Sequence, residues 1–165
     1  MSRLIVPRIR QSGRRQQAQD TVGATWTKAD LAVRLKNSAP GRMFGYELDS
    51  LGDGTAVMSM RVQKRHKQIH GVVHGGILAS LADTAGAMAA YPLVPRGTRL
   101  ATVEMKINYL ESVDRGLITA RSRVLRLGRT LVITECEILD ANGNLAAKAL
   151  MTFARMPATG KHAGR

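Results

Sequence analysis

From Thr98 to Met156 apolar and polar residues alternate along most of the chain. Successive side chains of a strand point to opposite faces, so alternation over such lengths predicts half-buried strands. The first, Thr98–Leu110, sets Ala101, Val103, Met105, Ile107 and Tyr109 against Thr102, Glu104, Lys106 and Asn108. Gly116–Leu127 follows, with Arg121, Arg123 and Arg126 among its apolar residues. Gly128-Arg129 reads as a tight turn into Thr130–Leu139, and Asp140-Ala141-Asn142-Gly143 is a hairpin signal. Leu145–Met156 closes the sheet. Upstream, Met43–Leu48 reads as a strand, Asp49–Gly54 as a turn, and Thr55–Gln63 as a second strand with Ala56, Met58, Met60 and Val62 on one face.

The alternation is interrupted by Ile77–Tyr91, a run of Leu, Ala and Met that favours helix and is stopped by Pro92. A helix that is apolar nearly all round belongs inside a protein. Yet this one carries Asp83, too deep to be a cap, with Ser80, Thr84 and Ala87 on the same stripe. A buried carboxylate is costly unless something uses it, which makes Asp83 the candidate for chemistry. The same spacing also fits a plain buried helix whose Ser80–Asp83 stripe faces water. Gly75 and Gly76 precede the helix and allow close approach of the backbone to a ligand. The first N–H groups of a helix lack internal partners, so they can polarise a carbonyl or hold an oxyanion.

A shorter helix is expected over Lys28–Lys36, capped by Thr27, with Trp26, Leu31 and Leu35 inward. Asn37–Gly41 breaks it. Two strands, one long apolar helix, then four strands joined by short turns give an α+β fold: an antiparallel sheet with its helix on one face. There is no βαβ alternation with a Gly-rich dinucleotide loop. Nor is there a Gly-x-Ser-x-Gly elbow, so Ser80 is a poor nucleophile.

The net charge of +13 over 165 residues changes the picture only in part. It points towards nucleic acid, an acidic membrane surface or a small polyanion. Aromatic residues are scarce at 4 %, and no nucleic-acid-binding signature is present. Arg3, Arg8, Arg10, Arg14 and Arg15 precede the first acid, Asp20, so residues 1–25 read as a basic, disordered arm, with some likeness to a mitochondrial transit peptide. Residues 158–165 read as a flexible tail. No apolar run reaches the roughly 18 residues of a membrane span. One cysteine, Cys136, permits no internal disulfide and reads as buried filler in a reducing compartment, which favours a cytoplasmic protein. His66, His70 and His74 are spaced by four, but Gly71, Val72, Val73 and Gly75 argue against a helical metal stripe, so no metal is expected.

Gln68–Gly76, the helix with Asp83, and Thr102-Val103-Glu104-Met105-Lys106-Ile107-Asn108-Tyr109 resemble the hotdog-fold acyl-CoA thioesterases, most closely the phenylacetic-acid-degradation (PaaI-like) branch. The resemblance covers roughly residues 40–156 and assigns a hotdog domain to 26–157. It implies a curved sheet of about six strands wrapped around one helix, and hydrolysis of an acyl-CoA thioester without a cofactor. Asp83 then matches the catalytic carboxylate, as nucleophile or as general base. Gly75 matches the glycine whose N–H polarises the carbonyl. Gln68 stands where the family carries Asn or Gln to orient the carbonyl or the water, and Thr102 matches a Ser/Thr that holds the water. His74 and Gly76 shape the substrate site. The resemblance further implies a homodimer, commonly doubled to a tetramer, in which Asp83 of one chain faces Gln68 and Gly75 of the other. CoA phosphates would give Arg126, Arg129 and Arg96 a use. Met58, Leu81, Met88 and Tyr91 are expected to line an acyl pocket. A non-catalytic hotdog module that binds acyl-CoA or regulates a partner is the competing reading. A hotdog dehydratase fits less well, because its paired His and carboxylate are not reproduced.

Overall fold

The computed structural model describes residues 25–156. The arm and tail expected at the two ends lie outside the described residues, apart from Thr25. Helix α1 (Lys28–Asn37) starts where the sequence places it. Thr27 accepts from the Asp30 N–H and the Asp30 carboxylate accepts from the Thr27 N–H, a reciprocal cap. Leu31 and Leu35 are buried beneath it.

The next segment departs from expectation. Ser38 ends α1 but also caps a second short helix, α2 (Ala39–Phe44), so Met43 and Phe44 are helical. Pro40 sits in the first turn of α2, where its missing N–H costs nothing. Strand β1 therefore begins at Tyr46 and runs to Leu51, through Asp49 and Ser50, which the sequence assigns to a turn. Strand β2 (Thr55–Arg61) pairs with it antiparallel.

The long helix α3 spans Gly75–Ala90, two residues earlier than the apolar run suggests, because His74 caps it: the His74 Nδ1 accepts from the Gly76 N–H at 2.9 Å. Pro92 does not stop the chain abruptly. Tyr91–Leu93 tightens into one turn of 3-10 helix, with the proline where no donor is needed. Strands β3 (Arg99–Tyr109), β4 (Leu117–Leu127), β5 (Leu131–Leu139) and β6 (Leu145–Met156) follow.

All six strands form one antiparallel sheet in the order β1-β2-β4-β5-β6-β3. Strand β6 is thus interior, and β3, not β6, closes one side. The reason is the register: β6 pairs with β5 through the Asp140–Asn144 hairpin on one side and with β3 on the other. Helix α3 lies across the inner face, with Leu78, Leu81, Ala82, Ala85 and Ala89 buried against Met58, Ile118, Val132, Ile138, Met151 and Phe153. The fold is the α+β hotdog arrangement expected from the sequence. Cys136 is fully buried, and burial pushes its thiol up to about 12.

Candidate active site

The helix that carries Asp83 fits so closely because it is lined with small residues. A Cβ on Gly86 would stand 2.7 Å from Thr134 Oγ1 and 2.9 Å from Met151 Cε, so glycine is what lets α3 touch the sheet there. One turn earlier Asp83 is half-buried, facing the edge strand β3. Its Oδ1 accepts from Thr102 Oγ1 at 2.7 Å, and Oδ2 meets no donor among the described residues. Burial holds the carboxyl above its ordinary range, and the Thr102 hydrogen bond offsets part of that rise.

Thr102 reaches Asp83 through a departure from simple alternation. Thr102 pairs with Phe153 and Glu104 with Thr152, so Val103 is an extra residue, a β-bulge. The bulge turns Thr102 to the inner face that Met105, Ile107 and Tyr109 also occupy, and leaves Val103 61 % exposed. Strict alternation places Thr102 outside and Val103 inside; each is the reverse.

At the start of α3 the first four N–H groups are almost all engaged. Gly76 donates to the His74 ring, and Ile77 and Leu78 donate to the His74 carbonyl at 2.9 and 3.4 Å. Among the described residues the Gly75 N–H alone of the four meets no acceptor. Gln68, His74 and Gly75 border one surface recess. The Gln68 side chain accepts from the His70 N–H at 3.0 Å and so steadies the turn between Gln68 and Gly71. His74 is the helix cap and Gly76 is the donor that it holds.

Gly75 and Asp83 are eight positions apart on one helix. At about 1.5 Å per residue they are separated by about 12 Å along the axis. A carbonyl bonded to the first and attacked by the second needs both within a few ångströms, so one protomer alone does not bring them together.

Two side chains outside the expected site hold this region. His66 is fully buried; its Nδ1 accepts from the Gln63 N–H and its carbonyl accepts from the His74 N–H, tying the loop to the helix start. Burial, with Arg65 beside it, lowers its pKa. Spacing alone grouped it with His70 and His74, both exposed, and gave no sign of its burial. The second is Tyr109, whose Oη donates to the Gly75 carbonyl at 2.9 Å.

The other expectations divide. Arg126 and Arg129 are exposed and form no ion pair among the described residues. They flank Leu127 at the end of the sheet that carries Thr102; the row Thr102–Phe153–Val132–Leu127 is three strand spacings or about 14 Å across. Arg96 is committed elsewhere: it pairs with Asp30 at 2.8 Å and covers the Trp26 ring at 5.0 Å. Met58, Leu81 and Met88 line no open pocket, being 0, 0 and 7 % exposed, because they are the contact between helix and sheet. Tyr91 packs edge-on against Trp26. The recess beside the helix start is instead walled mostly by Val72, Val73, Leu78, Tyr109 and Val113, with Glu111 and Ser112 beside them, and has a volume of about 380 Å³. No helix among the described residues is long and apolar enough to cross a membrane.

A six-stranded antiparallel sheet around one long helix is the hotdog architecture. The family model of the thioesterase superfamily matches residues 70–147. A Saccharolobus solfataricus protein named for esterase activity is 39 % identical over 101 residues, covering 61 % of this chain and 71 % of that one. The 1,4-dihydroxy-2-naphthoyl-CoA hydrolase of Escherichia coli K12 is 27 % identical over 132 residues, 78 % of this chain and 97 % of that enzyme. The crystal structure of a thioesterase from Haemophilus influenzae superposes with a TM-score of 0.77 at 27 % identity, over 84 % of this chain and 96 % of that one. The chain belongs to the thioesterase superfamily and is a thioester hydrolase.

Proposed function

We propose that the protein hydrolyses an acyl-CoA to the free acid and CoA, in a site shared between two copies of the chain. The observation that carries the reading is the position of two paired groups on one free strand edge. Asp83 with Thr102 lies near one end of β3, and Gly75 with Tyr109 lies at the other. Strand β3 is eleven residues long with no neighbour on its outer side among the described residues, and such an edge invites pairing. A two-fold, antiparallel pairing centred on Lys106, with Val103 again passed over as the bulge, would set Thr102 opposite Tyr109 of the partner subunit. The Asp83 carboxylate would then face Gly75 and Gln68 of the partner subunit, which removes the 12 Å problem of the single protomer.

In such a site the thioester oxygen accepts from the Gly75 N–H. The Oδ2 of Asp83 either attacks the carbonyl carbon or takes a proton from a water that attacks it. The tetrahedral intermediate carries its charge on the oxygen held by Gly75, and collapse expels the CoA thiolate. If Asp83 is the nucleophile, water then cleaves the mixed anhydride. CoA thiolate is a good leaving group, so no strong acid is needed. An amide aimed at the oxyanion is worth about 3–4 kcal/mol. Gln68 orients the carbonyl or the water. Arg126 and Arg129, exposed and without an ion pair among the described residues, lie at the Thr102 end of the sheet and suit the phosphates of CoA. The apolar recess beside Gly75 favours a compact apolar or aryl acyl group, in keeping with the aryl-CoA named for the Escherichia coli relative and with the PaaI-like resemblance.

The test is thiol release from a panel of aryl and aliphatic acyl-CoAs by wild type and Asp83→Asn, with the oligomeric state of both measured. Turnover of one class, lost by about 10²–10⁴-fold in an Asp83→Asn protein that is still dimeric, is the expected result. CoA binding with no thiol release from any member would sink the reading in favour of a binding module. An unchanged KM in Arg129→Ala would remove that arginine from the CoA site.

A further inference from the structure

Tyr109 and Gly75 are fitted to each other more closely than helix packing requires. A Cβ at position 75 would stand 3.0 Å from Tyr109 Cζ, and 3.2 Å from both Cε1 and Oη. The ring therefore fills the space that a side chain at 75 would take. Gly75 has no positive φ to explain its identity, so close approach is the reason for a glycine there. In the single chain Tyr109 is 51 % exposed and borders the recess.

The cost of glycine is freedom at its two torsions. A peptide group is planar, so holding its two polar atoms fixes its orientation. The Gly75–Gly76 peptide is held in this way: the Tyr109 hydroxyl donates to its oxygen and its N–H donates to the His74 ring. The preceding peptide, which carries the free Gly75 N–H, is held at its oxygen by Ile77 and Leu78. With both flanking planes fixed, the direction of the Gly75 N–H is set.

We propose that Tyr109 is the positioning residue for the Gly75 amide, its hydroxyl restoring at the helix start the rigidity that a glycine there gives up. The proposal rests on the reading of Gly75 as the carbonyl-polarising group. It separates Tyr109 from Tyr46, which donates to the Ile77 carbonyl at 3.3 Å from inside the core and touches neither flanking peptide.

Tyr109→Phe keeps the ring and removes only the hydroxyl. With the acyl-CoA that wild type turns over best, kcat per folded dimer should fall about 10- to 100-fold, since misaim of about 1 Å costs on that order. KM should stay within about threefold, because the ring and the recess are kept. The acidic limb of the pH–rate profile, set by Asp83, should not move. Wild-type kcat in Tyr109→Phe overturns the proposal, and so does a fall that vanishes once rates are normalised to folded dimer. A second arm covers the steric fit. Gly75→Ala should lose about 100-fold, and Gly75→Ala with Tyr109→Ala should lose less than the product of the two single losses, as the clash is relieved. Losses that simply add would overturn the fit. Full activity of Asp83→Asn would sink the reading of the site itself; loss in Asp83→Asn with none in Tyr109→Phe would sink the Tyr109 role alone.

Discussion

At the scale of single residues, the burial of Asp83 has a cost in stability. Its carboxyl titrates above the ordinary 3.8 because burial disfavours the charge. The folded state thus binds that proton more tightly than the unfolded chain does. Ionisation costs folding free energy as pH rises past the unfolded value, and the full cost is present above the raised folded value. Asp83→Asn removes that cost while Thr102 can still donate to the amide oxygen. Its Tm should exceed that of wild type at neutral pH, with the difference shrinking as pH falls towards about 4, as thermal unfolding across pH would read. Thr102→Val removes the one hydrogen bond that lowers the Asp83 pKa. Its acidic limb should move to higher pH and its kcat fall; an unmoved limb would show that the bond does not reach Asp83 in solution.

At the scale of elements, α3 meets the sheet at Gly86, against Thr134 and Met151. Met151 is flexible, but Thr134 is β-branched, fully buried and its hydroxyl meets no partner among the described residues. Gly86→Ala should therefore cost about 1–3 kcal/mol through overpacking, measured by denaturant unfolding, despite the better helix propensity of alanine. The same substitution with Thr134→Ser, which deletes the methyl and leaves room to turn the hydroxyl, should recover part of the loss. The element that the sequence misassigned, Met43–Phe44, shows the converse. Its apolar residues fit a strand, but Ser38 and Pro40 start a helix there, and local capping outweighed the apolar run.

At the scale of the whole molecule, the proposal of a site shared between two chains predicts complementation. Asp83→Asn and Gly75→Ala should each be nearly inactive. Mixing them through reversible unfolding should yield hybrids with one site that carries both lesions and one that carries neither. Activity should then return to about a quarter of wild type, since half of the dimers are hybrids and half of their sites are intact. No recovery on mixing, with hybrids shown to form, would count against a site built from two chains.

The sequence by itself determined the strand count, the long helix, its glycine start and the identity of Asp83 as the odd charge within it. These are local: periodicity, propensity and the cost of a buried carboxylate all act over a few residues. Much of the candidate site was legible for the same reason, because Gln68, His74, Gly75 and Asp83 lie in one stretch of sixteen residues. Tertiary structure decided which side of β3 each residue faces, since a bulge at Val103 reverses the alternation that precedes it. It also put β3 rather than β6 at the edge, turned Met58, Leu81 and Met88 from pocket wall into core, tied Arg96 to Asp30, and brought Tyr109 onto Gly75 from 34 positions away. None of these is carried by neighbouring residues. Each depends on which segments meet once the helix is buried, and that is settled by the packing of the whole sheet around it.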